Sequence, residues 1–214
     1  MTTPTRPPKA AELPASRASQ RDLGTRRVVV DKREAILDAA LALFVERGFY
    51  GTAVPEIADR AGVGAGTIYR YFESKEALVN AIYRHQKQSF AHIVMNDFPP
   101  STTTRELFRT LWMRMAKFAT ANPDAFVFLE LHHHARYLDD ESRAVESRMT
   151  ALFTSLVTAK QAQGDIKAGE PRLLMGLVMG AFVGVIRSCV DVDQPLAEAD
   201  WKLAEQCVWE AIRS

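Results

Sequence analysis

Residues 51–78 read GTAVPEIADRAGVGAGTIYRYFESKEAL, and the rest of the chain is organised around them. Ile57, Ala58 and Ala61 fall on one helical face, and Gly62 comes directly after. A second short apolar pattern begins at Ala65 and runs through Ile68 to Phe72. Two short helices with only Gly62-Val63-Gly64 between them make a helix-turn-helix. The first must end on a residue that tolerates positive φ, which Gly62 does without steric cost. Val63 is the apolar residue that pins the turn to a core. The second helix presents Thr67, Tyr69, Arg70 and Tyr71. Hydroxyls, aromatics and one cation on a helix too short to carry much core suit insertion into a DNA major groove.

The stretch closely resembles the DNA-binding domain of the tetracycline-repressor (TetR) family of bacterial transcription regulators. Thr52, Ile57-Ala58, Ala61-Gly62-Val63, Gly66-Thr67-Ile68-Tyr69, Tyr71-Phe72 and Ser74-Lys75-Glu76-Ala77-Leu78 carry the resemblance, which spans residues 31–83. Elsewhere only length and an all-helical pattern are shared. The resemblance implies phosphate contacts for Thr52, Tyr69, Tyr71 and Lys75. It implies that Ala65, Gly66 and Thr67 face base edges, with Arg70 a further candidate. Gly64 departs from the polar residue often seen at its position in the family, which removes a side-chain contact. Three packed helices with no DNA role would leave Tyr69, Tyr71 and Lys75 unexplained.

Working outward, a helix over 32–47 opens at Asp31, with Glu34 in a capping-box position, and buries Ile36, Ala40, Leu43 and Phe44. Thr52 is the expected N-cap of the next helix, with Pro55 in its first turn. Ser74 caps a long helix over 75–96, which connects the DNA-binding end to the C-terminal part of the chain. Further helices are expected at 103–121, 124–138, 141–163, 171–190 and 197–213. The 141–163 helix is expected to bury Val145, Met149, Leu152, Phe153 and Leu156. No repeat is visible and nothing predicts a strand. The fold class is therefore all-α, with about nine helices. Residues 1–30 read as a disordered basic arm, 31–80 as a three-helix DNA-binding domain, and 81–214 as a helical effector-binding and dimerisation domain.

The chain of 214 residues has a net charge of only +1, unevenly spread. Residues 1–33 hold eight Lys/Arg against Glu12, Asp22 and Asp31, a local +5, which leaves −4 for the remainder. Residues 34–80 hold Arg47, Arg60, Arg70 and Lys75 against seven acids. An arm carrying Arg26-Arg27 thus either adds phosphate attraction to a weakly basic motif or is a solvated tail. Cys189 and Cys207 lack metal-ligand spacing, which fits a reducing cytoplasm and no disulfide framework, and no cofactor is expected. No signal core is present, and the apolar run 173–186 is too short to span a bilayer. A cytoplasmic protein without a membrane partner is expected.

Two constellations outside the motif invite chemistry. His132-His133-His134 cannot converge on one ion, because helical neighbours sit ~100° apart. His133 or His134 can share a face with Glu130, but the spacing supports neither catalysis nor an assigned metal. The aromatic and methionine residues Trp112, Met115, Phe118, Phe128, Phe153, Met175, Met179 and Phe182 are either plain core or a cavity lining. Since the family resemblance implies a ligand pocket here, Trp112, Met115, Phe118, Phe128, His132, Phe153 and Met179 are taken as effector-binding. Gly176, Gly180 and Gly184 recur every four residues and permit close helix approach. With Trp201, Val208 and Trp209 they are assigned to a homodimer interface. The expectation is a non-enzymatic repressor that binds a palindromic operator of double-stranded DNA and is released by a small hydrophobic or amphipathic effector. The alternatives are a regulator answering to a protein partner, or a histidine-centred metal-binding helical protein.

Overall fold

In the computed structural model, residues 31–96, 102–131, 136–190 and 196–214 are described. They form α1 (Lys32–Arg47), α2 (Val54–Ala61), α3 (Ala65–Tyr71), α4 (Lys75–Met95), α5 (Thr104–Ala121), α6 (Pro123–Leu131), α7 (Asp140–Ala162), α8 (Pro171–Val190) and α9 (Glu198–Ile212). No strand occurs among the described residues, only an isolated bridge between Ile166 and Arg213. The basic arm over 1–30, Arg26-Arg27 and the three histidines lie outside the described residues.

Local chemistry sets the ends. The Asp31 carboxylate accepts from the Arg33 N–H at 2.9 Å and opens α1. Ser74 accepts from Ala77 N–H at 3.1 Å and opens α4. Gly62 closes α2 at φ 65° and ψ 34°, the left-handed conformation the turn requires. Two expected boundaries move. Ala53, not Thr52, is the N-cap of α2, because the Thr52 hydroxyl points inward; Glu56 satisfies the Ala53 N–H instead, at 2.8 Å. The 124–138 helix starts at Pro123 and is described as helical to Leu131.

The core begins with α1, whose Ile36, Leu37, Ala40, Leu43 and Phe44 are buried against Ile57, Ile68, Leu78 and Ile82. It continues into Trp112, Phe118, Phe128 and Phe182, so that Asp31–Ser214 is one compact unit. α7 behaves differently. Ser142 alone among its residues is fully buried, and Leu152, expected inside, is 52% exposed. Its apolar face looks into a cavity rather than into packed side chains.

Candidate DNA interface and ligand cavity

On α3, Ile68 turns into the core while Tyr69 and Tyr71 stand 56% and 41% exposed, with Arg70 also exposed. The Arg70 guanidinium lies 5.5 Å from the Tyr71 ring centroid. Ala65 and Thr67 are half-buried and Gly66 is exposed. A Cβ added at Gly64 or Gly66 would meet nothing within 4 Å, and neither residue has positive φ. The fold itself therefore requires glycine at neither position. α3 presents a continuous polar and aromatic face, Thr67, Tyr69, Arg70 and Tyr71, beside two residues with no side chain to keep a groove away.

Two expected phosphate ligands are corrected. Thr52 is 2% exposed, and its hydroxyl donates to the Leu43 carbonyl at 3.1 Å and the Gly48 carbonyl at 2.9 Å. It locks the end of α1 to the start of α2. The Lys75 ammonium donates to the carbonyls of Phe49 at 2.7 Å and Thr52 at 2.9 Å, and lies 4.1 Å from the Phe49 ring centroid. Its charge is turned into the domain, where it clamps α4 to the α1–α2 turn. Arg47 pairs with Glu56 and Arg60 with Glu46. Both of those arginines are exposed but sit in ion pairs, while Arg70 is exposed on α3 beside Tyr71.

α4 runs from the clamp into the cavity. Asn80 donates to the Tyr137 carbonyl at 2.6 Å and accepts from the Asp139 N–H at 2.9 Å. Arg84 pairs with Asp139 at 2.9 Å and reaches Ser142 at 3.0 Å. Tyr137 stacks on Phe49 with centroids 4.3 Å apart. The segment before α7 is thus tied to both α4 and the α1–α2 turn.

The cavity, of about 310 Å³, lies among α4, α5, α6, α7 and α8. Trp112, Met115, Phe153 and Met179 line it, together with Phe108, Leu111, Met149 and Met175. Phe118 and Phe128 do not. Both are fully buried, Phe118 edge-on to Phe90 at 5.2 Å, and they are core. His132 falls outside the described residues.

The polar part of the lining was not anticipated. The Tyr83 hydroxyl donates to Glu146 at 2.5 Å. The Lys87 ammonium lies 3.0 Å from Glu146 and 3.8 Å from Glu130. Lys87 is only 7% exposed. Burial pushes the Glu130 carboxyl and the Tyr83 phenol up, while Lys87 holds Glu146 below the usual carboxylate range against the opposing effect of burial. The available signal was a lysine one turn from Tyr83 and Phe90 on the inward stripe of α4, opposite a glutamate on that of α7. Among the described residues no three His, Cys, Asp or Glu side chains gather as a metal would need.

The interface expected on α8 and α9 divides in two. Gly176, Gly180 and Gly184 are exposed, and a Cβ on any of them would meet nothing within 4 Å. Trp201 and Trp209 are buried within the chain: Trp201 lies 5.4 Å from Phe182 and Trp209 5.5 Å from Phe108. Val208 is half-buried against the core. These three pack inside the chain, and the outward face of α9 carries Leu203 instead. α8 also exceeds the length expected of its apolar run. An 18-residue stretch of it, 171–188, has mean hydropathy 1.4, long and apolar enough to cross a membrane by length and composition alone.

Comparison with known proteins places both halves together. Residues 36–82 match the profile described as bacterial regulatory proteins, tetR family, and residues 83–214 that of the tetracyclin repressor-like C-terminal domain. The HTH-type transcriptional regulator RutR of Escherichia coli O157:H7 is 38% identical over 149 residues, 67% of this chain and 66% of the relative. A TetR family transcription regulator from Marinobacter aquaeolei VT8 superposes with TM-score 0.75 at 26% identity, over 86% of this chain and 96% of that one. The fold is shared by the transcriptional regulator FadR from Bacillus subtilis, crystallised in complex with stearoyl-CoA, with TM-score 0.66 at 23% identity over 83% and 95% of the two chains. With a family match to each half, and with Tyr69, Arg70 and Tyr71 exposed on α3, the chain belongs to the tetR family of bacterial regulatory proteins and is a DNA-binding transcriptional regulator.

Proposed function

We propose that this protein is a homodimeric repressor released from a palindromic operator by a small, largely apolar effector. Residues 31–80 serve as the DNA-binding domain and 81–214 as the effector-binding and dimerisation domain. Tyr69 and Tyr71 meet phosphates, while Ala65, Gly66 and Thr67 approach base edges and Arg70 reaches beside them. The observation that carries the reading is α4. One helix holds the recognition motif through Lys75 and, two to four turns later, lines the cavity with Tyr83, Lys87 and Phe90. An effector that shifts α7 against α4 therefore moves the recognition helix.

Induction requires the effector to prefer one spacing of the two recognition helices over the other; tight binding alone shifts nothing. RutR and the other curated relatives are named regulators or repressors, which favours regulation over catalysis. The test is a gel shift on DNA from around the protein's own gene, with and without a ligand found by thermal-shift screening. Retarded DNA that is released by the ligand is the expected result. A ligand bound stoichiometrically that leaves operator affinity unchanged would refute the induction mechanism and leave DNA binding standing.

A further inference from the structure

Resting on the effector reading above, we infer that the cavity takes an elongated amphipathic molecule whose polar end is a cation, such as a protonated amine, seated against Glu130 and Glu146.

The cavity's shape is set by the helices that line it. α7 contributes lining residues from Glu146 to Lys160, a span of about 21 Å along the helix. α5 contributes from Thr104 to Met115, about 16 Å. Between these ends the walls are Leu107, Leu111, Phe153, Leu156, Val178 and Met179. Such a slot accepts an apolar body of some length.

Its ends differ in charge. At the far end Lys160 is engaged by Gln163 at 3.0 Å, and the Thr104 hydroxyl donates to Asp165 at 2.5 Å. At the near end Tyr83, Lys87, Glu130 and Glu146 converge, two carboxylates with a single base between them. A ligand carboxylate placed there would face both glutamates and find only an ammonium they already share. In an apolar surrounding that repulsion is weakly screened. A ligand ammonium instead donates to Glu130, which is 3.8 Å from Lys87 and so the less satisfied of the two, and completes a two-acid, two-base set. At the end formed by Glu130 and Glu146 the arrangement therefore selects against an acidic head and for a basic one.

The experiment compares three probes of equal chain length, dodecylamine, dodecanol and dodecanoate, below their micellar concentrations. Binding to the full chain is read by quenching of tryptophan fluorescence, to which the cavity-lining Trp112 reports, and by thermal shift. The amine is expected to bind at least tenfold more tightly than the dodecanoate. In Glu130→Gln or Glu146→Gln the amine-to-alcohol affinity ratio should fall about tenfold, and Lys87→Met should move it the other way. Dodecanoate binding as tightly as the amine, or ratios unmoved in both glutamine variants, would overturn the cationic head while leaving an effector cavity in place. Failure of all three probes would overturn the head group and the apolar-effector reading together.

Discussion

Lys75 and Tyr69 part ways although their sequence neighbourhood suggests one role for both. Both sit where a phosphate ligand is expected, yet the Lys75 charge is consumed by two carbonyls and an aromatic face, whereas Tyr69 stands clear of the fold. A charge-assisted hydrogen bond is worth about 1.5–3 kcal/mol net. Lys75→Met is accordingly expected to lower stability by ~2 kcal/mol, a fall in Tm of about 5 °C in a chain of this size. Tyr69→Ala should leave Tm within about 1 °C, since exposed substitutions stay within ~0.5 kcal/mol, while weakening operator binding about tenfold or more. Thermal melts beside gel shifts separate the two, and a Lys75→Met protein with unchanged Tm would refute the clamp. Gly66 is a parallel case. Nothing within 4 Å would oppose a Cβ there, so a glycine inside a seven-residue helix forgoes ~1 kcal/mol of helix propensity for no local reason. Gly66→Ala should raise Tm by a few degrees and reduce operator affinity, because the methyl group stands where the groove comes close. Raised Tm with undiminished affinity would remove Gly66 from the interface.

At the scale of elements, the helix-turn-helix was legible because its signals are local: a positive-φ glycine, a capping serine, and apolar residues at helical spacing. α1 and α8 fall where periodicity puts them for the same reason. The cavity was legible only in part. Apolar periodicity identifies an inward face but is blind to whether that face meets atoms or empty space. Phe118 and Phe128 therefore look the same as Phe153 in sequence, although only Phe153 lines the cavity. Nor does it register charged residues on an inward stripe, such as Lys87 and Glu146. That polar cluster has a measurable consequence. Burial raises the Glu130 carboxyl above its unfolded value, so the folded protein holds that proton more tightly than the unfolded chain. Its contribution is thus favourable below the unfolded pKa and is lost as pH rises through the folded one, where the desolvated carboxyl must ionise. Glu130→Gln removes that burden and should raise Tm at pH 7, with the gain shrinking as pH falls toward the ordinary glutamate range. A gain that grew on acidification would mean the Lys87 attraction outweighs burial there.

For the molecule as a whole, the outward face of α8 is an exposed apolar surface among the described residues. Leu173 and Leu177 are more than half exposed there, beside Gly176, Gly180 and Gly184, and Leu203 on α9 is exposed as well. A contiguous apolar stripe of that kind marks an interaction face. The small residues favour a helix over lipid, because glycine lets two backbones approach while presenting little apolar area of its own. Two recognition helices must lie ~34–36 Å apart, or a multiple, to read both half-sites of an operator, so a symmetric pairing of α8 and α9 would supply the second reader at a fixed distance. Gly180 discriminates this from packing within one chain. Its Cβ position is open and the residue is exposed in the isolated protomer, so Gly180→Leu starts from a position with room and should gain helix propensity. A Gly180→Leu protein that keeps the wild-type Tm and helix content while losing assembly assigns the loss to a partner. The expected outcome is a helical, folded protein that sediments as a monomer at micromolar concentration where the wild type is a dimer. Its affinity for a full operator should drop towards that for a half-site. A Gly180→Leu protein that remained dimeric and bound the full operator as the wild type does would place the dimer interface elsewhere and leave the exposed face of α8 to a different partner.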